Sequence, residues 1–188
     1  EPGSFMDFMG SKVLGEAAVS AGFGQAINDM MTGGMLAADD YARIEFADDS
    51  DFTGAAKGTG FAGKLGFIYQ ATPTFALGGT YHLKTAMSDW EADEATMAFY
   101  QGDGTGLIGD AIPGSMVVED FQWPAVLGFG LAYWPGERWV LAADYKLIQW
   151  ADVMADFNMT FTATAGALDG ETVGITFYQD WEDQAVIN

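Results

Sequence analysis

The sequence predicts an all-β fold: a transmembrane antiparallel β-barrel with a helical external loop, of which this chain carries about five strands. Three observations indicate it. From Phe61 onward, apolar residues recur with a period of two, which is typical of β-strands. One face of each predicted strand carries Phe, Leu, Tyr and Trp, and the other mostly Gly, Ala and Thr, as in a membrane-barrel wall. Short turns also alternate with long connections. A soluble β-sandwich, which buries its apolar face against a second sheet, is the alternative.

The composition limits the possible partners and chemistry. With 49% apolar and 14% aromatic residues, the 188-residue chain is not disordered by composition. Its 7 Lys and Arg against 27 Asp and Glu give a net charge of −20, which argues against a nucleic-acid partner because phosphate binding needs several cations. The lack of Cys and the single His exclude disulfides, thiolate zinc sites and multi-His metal sites. We therefore expect neither a metal nor another cofactor.

Residues 1–40 are predicted to form a helical external-loop segment. Apolar residues between Val13 and Met35 follow three- and four-residue spacings, which predict one or two short helices, broken near Gly22–Gly24 and ended at Gly33. One interpretation is a surface helix that covers a barrel mouth. The other is a soft apolar surface that binds a hydrophobic ligand. The candidate ligand-binding residues of that surface are Phe5, Phe8, Met30, Met31 and Met35.

Residues 41–188 are predicted to form the barrel wall, as a single, incomplete barrel domain with long acidic external loops. Two turns define hairpins, one at Pro73 and one at Pro135-Gly136. The connection over 88–115 is acidic and rich in Gly, and we expect it to be a long loop. The predicted strands lie near 42–70, 73–87, 115–134, 138–164 and 171–188.

The two faces of these strands predict which side chains meet lipid and which meet the lumen. The residues expected to face lipid are Leu77, Tyr81, Leu127, Phe129, Leu131, Leu141 and Tyr145. The residues expected to face the lumen are Lys64, His82, Lys84, Asp144 and Lys146. Two roles are open for these polar side chains: solvated charges that form ion pairs, or contacts to a ligand carboxylate.

No catalytic constellation accompanies the predicted barrel. His82 is the only His, and no Gly-x-Ser-x-Gly motif supplies a nucleophile for a triad. The run 104–109 spells a dinucleotide-binding fingerprint, but no buried parallel strand precedes it. The run 49–54 begins like a calcium loop, but its twelfth position is Gly60 instead of a bidentate Glu. The sequence therefore predicts that the protein is not an enzyme.

Several segments resemble one family of membrane proteins. The hairpin formed by Gly60–Tyr69 and Leu77–Tyr81 is similar to a hairpin of FadL-type outer-membrane transporters, as is that formed by Trp123–Tyr133 and Trp139–Tyr145. The final segment, Trp181–Ala185, resembles the residues before that family's next strand. Each motif is modest by itself, but their order and spacing together are fairly specific.

The resemblance implies an integral protein of the bacterial outer membrane, in contact with its lipid and lipopolysaccharide. It implies a passive channel for hydrophobic small molecules, either long-chain fatty acids or aromatic and aliphatic hydrocarbons. Family members have about fourteen strands and an N-terminal hatch, so this chain is expected to be an incomplete barrel. One departure is the run His82-Leu83-Lys84, where the family commonly has Arg-Ser after the Tyr.

Two further expectations concern the ligand and the competing function. Acidic residues between Asp89 and Glu94 would repel a carboxylate at low salt, which favours neutral hydrocarbons over fatty acids. Divalent cations would mask that charge. The alternative function is a structural or adhesive outer-membrane barrel without transport activity, which would have the same wall but no continuous apolar path through it.

Overall fold

The computed structural model describes residues 15–46, 56–104, 106–136 and 138–188. Its strands, in chain order, are β1 (Gly15–Val19), β2 (Tyr41–Glu45), β3 (Gly60–Phe61), β4 (Lys64–Thr72), β5 (Phe75–His82), β6 (Ala86–Met87), β7 (Trp90–Tyr100), β8 (Leu107–Glu119), β9 (Val126–Gly136), β10 (Trp139–Ile148), β11 (Asp156–Ala163), β12 (Thr172–Tyr178) and β13 (Gln184–Ile187). Helix α1 spans Ala21–Thr32, and 3-10 turns lie at Trp150–Asp152 and Gly166–Leu168. In the described ranges every strand pairing is antiparallel, which confirms the predicted fold class.

The chain divides into two compact units, each built from three separate segments. The five-stranded unit comprises Gly60–Met87, Phe121–Ala155 and Asp180–Asn188. The six-stranded unit comprises the described residues of Glu1–Thr59, Ser88–Asp120 and Asp156–Gln179. Each unit is named after its largest sheet.

The sheet of the five-stranded unit has the order β13-β10-β9-β5-β4. Pro73 and Thr74 turn the chain between β4 and β5, where Pro fits because it pre-sets φ and donates no hydrogen bond. The Thr74 N–H donates to Thr72 Oγ1 (3.3 Å), and Gln70 Nε2 donates to the carbonyl of Thr72 (2.7 Å). The predicted hairpin at Pro73 is confirmed, as is the one between β9 and β10.

The six-stranded unit has the order β1-β12-β11-β8-β7-β2 and packs around one apolar core. The core residues are Phe23, Leu36, Ala92, Ala95, Met97, Phe99, Met116, Phe161, Ala163 and Val173. Phe23 is the buried residue of α1, and Ile27 and Met30 of the same helix also pack against the core. No helix in the described part of the chain is long and apolar enough to cross a membrane.

The predicted loop over 88–115 is wrong, because β7 and β8 occupy most of it. The register shifts between Ala92 and Ala95, which leaves Asp93 and Glu94 between the paired positions. Such a bulge places two residues opposite one and breaks the period-two pattern. The acidic residues are on the exposed side of β7. The sequence predicted a loop there because the bulge interrupts the alternation of apolar and polar residues.

The predicted strands over 115–134 and 171–188 are each wrong in being continuous. Asp120 separates β8 from β9 and Asp180 separates β12 from β13, with φ angles of 52° and 46°. A positive φ ends an extended strand, and Asp tolerates it better than most residues. The run 138–164 is likewise divided, by the 3-10 turn at Trp150–Asp152. The run 73–87 is interrupted after His82, where β5 ends.

The predicted helical segment from Val13 is wrong over Gly15–Val19, which forms β1, and the predicted break near Gly22–Gly24 is wrong because these residues are inside α1; the end at Gly33 is confirmed. Gly22 has a different role. A Cβ atom there would collide with the carboxylate of Glu171, which accepts a hydrogen bond from the Gly22 N–H (3.1 Å). Gly22 therefore permits a close approach at the start of the helix instead of interrupting it.

Candidate functional site

The strand register gives the five-stranded sheet two different faces. On the apolar face, the aligned rows across β4, β5, β9 and β10 include Leu65, Tyr81, Leu127 and Leu147, then Phe67, Gly79, Phe129 and Tyr145. On the small-residue face, the rows across β5, β9 and β10 are His82, Val126 and Ile148, then Thr80, Gly128 and Lys146, then Gly78, Gly130 and Asp144, then Ala76, Ala132 and Ala142. The period-two alternation in the sequence thus appears as two chemically distinct surfaces.

Exposure also alternates along β9. Leu127, Phe129 and Leu131 on the apolar face are 46%, 49% and 39% exposed. The intervening residues, such as Gly128 and Gly130, are partly shielded although they are much smaller. The sheet curls like part of a barrel, and this shielding indicates that the small-residue face is its inner side.

A groove of about 620 Å³ is lined mainly by the small-residue face. A Cβ atom on Gly128 would lie 2.8 Å from Thr80 Oγ1, so a larger residue there would displace the hydroxyl. A Cβ atom on Gly130 would have Asp144 Cβ as its nearest neighbour, at an ordinary 3.6 Å. The wall therefore accepts a side chain at Gly130, and that side chain would project into the groove.

Two charged side chains, Asp144 and Lys146, line this groove. Asp144 Oδ2 accepts a hydrogen bond from Asn188 Nδ2 (2.8 Å), and the backbones of the two residues are paired in both directions at 3.0 Å. The carboxylate is thereby oriented by an amide. In the ranges that the structure describes, no group of three or more His, Asp or Glu side chains is placed to hold a metal ion.

A second cleft, of about 330 Å³, lies where β5 and β10 end and β9 begins. Its floor is the row His82, Val126 and Ile148, and its walls include Leu83, Trp123 and Trp150. We call it the aromatic cleft. The next row of the same face, Thr80-Gly128-Lys146, belongs to the groove, so the two depressions are consecutive on one surface.

Four aromatic rings form a continuous chain beside the aromatic cleft. Ring centroids are 5.6 Å apart for Phe121 and Trp123, 6.3 Å for Trp123 and Trp150, and 4.9 Å for Trp150 and Trp181. The period-two pattern of the sequence does not locate this row of rings. The positions of these aromatic residues next to strand ends were a usable signal. In an antiparallel sheet, the residues before β9, after β10 and before β13 lie at the same end of the strands.

The rim of the aromatic cleft is held by hydrogen bonds. The side chain of the buried Gln122 accepts from the Met87 N–H (2.9 Å) and donates to the Met87 carbonyl (3.1 Å). Thr85 Oγ1 accepts from the Trp123 N–H (2.7 Å), and the Thr85 N–H donates to the Trp123 carbonyl (3.1 Å). Buried polar groups with complete hydrogen bonding favour one arrangement over others. The backbone that carries Trp123 is therefore fixed.

Four of the five predicted lumen residues share the small-residue face. Lys64 is the cross-strand partner of His82, and Asp144 and Lys146 lie on the adjacent rows. Lys84 differs, because it follows the end of β5 and lies outside the sheet. That these side chains face a lumen stays a prediction.

The predicted external apolar surface is described only in part. Phe5 and Phe8 lie outside the described residues. Met30 packs against the core of the six-stranded unit, whereas Met31 and Met35 are 38% and 57% exposed. In the described part of the predicted surface, Met31 and Met35 are therefore the residues with substantial area open to a ligand.

The helix that carries Met30 and Met31 is attached at its start by a carboxylate. Glu171 accepts hydrogen bonds from the Ser20 hydroxyl and from the Gly22 N–H, although 149 residues or more separate them in sequence. The Ser20 hydrogen bond lowers the pKa of Glu171 below its ordinary value of 4.5, with help from the Phe23 and Gly22 N–H groups and against the effect of desolvation. A negative charge at a helix N-terminus is also favoured by the helix dipole.

We expect the protection of the first turn of α1 to be lost in acid. Because folding lowers the pKa of Glu171, its stabilisation is complete above the ordinary value of 4.5 and disappears as the pH falls through the lower, folded value. Hydrogen exchange at the Gly22 and Phe23 amides measures this. In Glu171→Gln the pH dependence should vanish, and Asp169→Asn in the same turn should leave it intact. An unchanged profile in Glu171→Gln would contradict the assignment.

The fold is that of known outer-membrane channels. A TodX deletion mutant, a monoaromatic hydrocarbon channel, is 27% identical over 92% of this chain and 42% of its own length, with a TM-score of 0.67. The Pseudomonas putida toluene transporter TodX is 25% identical over the same shares, with a TM-score of 0.64. The chain has the fold of part of a FadL-type outer-membrane β-barrel. The Ralstonia pickettii toluene transporter TbuX, 24% identical over 91% of this chain and 37% of its own, has the same fold, with a TM-score of 0.67.

The chain spans less than half of the length of the channels that it matches. No protein-family model and no curated protein matches its sequence. The predicted family, partial barrel and outer-membrane location are confirmed by the structural likeness.

Proposed function

We propose that this FadL-type protein is a passive outer-membrane channel for hydrophobic small molecules, and that the five-stranded unit is part of its wall. In this proposal the apolar face meets lipid and the small-residue face meets the lumen. The groove carries the proposal: it runs along a face of Gly and Ala residues, which leave space without a deep trap. The similar proteins TodX and TbuX, named as hydrocarbon or toluene transporters, support a channel over an enzyme.

We propose neutral aromatic hydrocarbons as the substrates, in preference to long-chain fatty acids. The net charge of −20 disfavours the approach of a carboxylate at low salt. Lys146 in the groove is the feature that favours fatty acids, because its ammonium group can bind a carboxylate. A competition between toluene and a long-chain fatty acid therefore separates the two substrate classes.

Capture from the medium is proposed to begin on the methionine surface, formed by Met31 and Met35. Methionine adapts to ligands of different shape because its side chain is flexible and polarizable. Contact with a few hundred Å² of apolar surface at about 25 cal/mol per Å² is enough for weak, reversible capture. Met30 is a poor probe of this step because it packs against the core.

The uptake test compares two leucine substitutions at neighbouring positions on opposite faces. Gly130→Leu should slow toluene uptake into proteoliposomes about tenfold, equivalent to a barrier increase of about 1.4 kcal/mol, because the new side chain enters the groove. Ala143 also borders the groove, but its side chain is on the opposite, apolar face, so Ala143→Leu should leave the rate within about twofold of the wild type. The measurement uses the complete protein.

The outcome also decides between the channel and the structural alternative. If neither toluene nor a fatty acid crosses faster than through vesicles without protein, the channel proposal fails and a structural or adhesive role replaces it. If Gly130→Leu and Ala143→Leu have equal effects, the groove is not the route. Loss of capture in Met31→Asp and Met35→Asp at low ligand concentration would support the methionine surface.

A further inference from the structure

We propose that the aromatic cleft is a binding site for one neutral aromatic ring, with Trp123 and Trp150 as its contacting side chains. The inference deepens the proposed function and rests on it for the passage of a hydrophobic compound past this site. It assigns a binding role to a part of the wall that the groove does not include.

The size of the aromatic cleft suits a small ring. Its volume is about 330 Å³, at the lower end of the usual range for ligand sites of about 300–1,000 Å³. Engineered apolar cavities of about 150 Å³ already bind benzene. The floor spans three neighbouring strands, a width of about 10 Å at about 4.8 Å per strand spacing. A single substituted ring fits this floor without displacing the strands.

The lining offers the contacts that a ring prefers. Val126 and Ile148 provide an aliphatic floor, and Trp123 is 51% exposed, so much of its indole surface is open. The Trp123 and Trp150 rings already touch, with centroids 6.3 Å apart and planes tilted by 57°, which leaves no space for a ring between them. A ligand ring therefore packs against their open surfaces, in the offset or edge-to-face geometries that aromatic pairs favour.

The site is formed before a ligand arrives. The hydrogen bonds of Gln122, next to Trp123, and of Thr85, to the Trp123 backbone, hold this segment in place, as described above. On the other side, the Ala151 N–H next to Trp150 donates to Asp183 Oδ1 (3.1 Å). Preorganised side chains lose less conformational entropy on binding, so weak apolar contacts contribute more of their energy to affinity.

The charge of the lining selects a neutral ligand. No Lys or Arg is among the described residues that line the aromatic cleft, and His82 is the titratable side chain there. Lys64 is the cross-strand partner of His82 but is not among the lining residues, so a carboxylate inside the cleft would lose hydration without a cation in the lining, which is costly. The cleft should therefore prefer toluene to benzoate.

The test measures binding of radiolabelled toluene to the complete protein in detergent, with protein-free micelles subtracted. We expect saturable binding. The double variant Trp123→Leu/Trp150→Leu should raise the Kd about tenfold, because the ligand loses two aromatic partners. Trp139→Leu is the matched control. Trp139 is 70% exposed and lies at the opposite end of β10 from the cleft, so this change should alter the Kd less than about twofold. Benzoate and n-heptane should compete at least about tenfold less well than toluene.

Each opposite result overturns the inference. No saturable toluene binding, equal loss in Trp139→Leu, or equal competition by benzoate or n-heptane would each do so. Val126→Phe provides a second variant that obstructs the floor while both Trp residues stay in place, should the double variant not fold; it should also abolish binding. Uptake assays separate the two proposals: toluene uptake without saturable binding overturns the aromatic cleft alone, whereas no uptake at all overturns the channel.

Discussion

Replacing Leu131 by arginine is expected to lower the free energy of unfolding by about 2–4 kcal/mol, the cost of a guanidinium facing lipid near the bilayer midplane. Leu131 lies in the middle of β9 on the apolar face, with Leu77 and Ala143 as its cross-strand partners. Its side chain is 39% exposed in the isolated chain, so the bilayer is the proposed environment of that exposed surface. Urea-induced unfolding of the complete protein in lipid vesicles measures the change.

The adjacent residue supplies the control for this prediction. Ala132→Arg places the same charge on the small-residue face, where the proposal puts water and the lumen, and should cost much less. Similar losses of stability in Leu131→Arg and Ala132→Arg would show that the two faces have been assigned wrongly. A larger loss in Ala132→Arg would reverse the assignment.

Replacing Phe161 by alanine is expected to destabilise the six-stranded unit by about 3–5 kcal/mol, as for other buried aromatic residues. Phe161 is 0% exposed, and its ring lies directly over Gly114, where a Cβ atom would collide with it. Removing the ring leaves a cavity against the backbone of Gly114, and the paired strands restrict how far that cavity collapses. Hydrogen exchange in β8 and β11 reports the local loss of stability.

Phe157→Ala is the matched control for the core. Phe157 is on the same strand but only half-buried, with its ring 6.4 Å from that of Phe177. We expect a smaller effect there, because water already reaches part of the ring. Equal protection losses in the two variants would mean that the core is not centred on Phe161.

The sequence predicted the five-stranded sheet well because its strands are regular. The hairpin β9–β10 keeps a strict period of two over Val126–Trp134, and Pro135-Gly136, the sequence signal for the reversal, ends β9. The six-stranded unit was predicted poorly for local reasons. A bulge after Ala92 disturbs the alternation in β7, and the positive φ angles of Asp120 and Asp180 end strands where no Gly signals it.

The candidate site, too, could be predicted from the sequence only in part. The shared face of Lys64, His82, Asp144 and Lys146 follows from counting alternate residues, and the register agrees with it. The aromatic cleft depends on Trp123 and Trp150, which lie outside strands, so periodicity alone does not locate them. The two Trp residues come together because the start of β9 lies beside the end of β10 in the sheet. Predicting that contact requires knowing which strands are neighbours.

The pairing of β1 with β12 has a consequence for biosynthesis. These strands align Gly15 with Phe177 and Val19 with Val173, so most of the chain must be synthesised before β1 meets its partner. Until then β1 has an unsatisfied strand edge, which is a template for intermolecular association. Until β12 is available the polypeptide is consequently vulnerable to aggregation through β1, and a holding chaperone that occupies this strand would protect it during that interval.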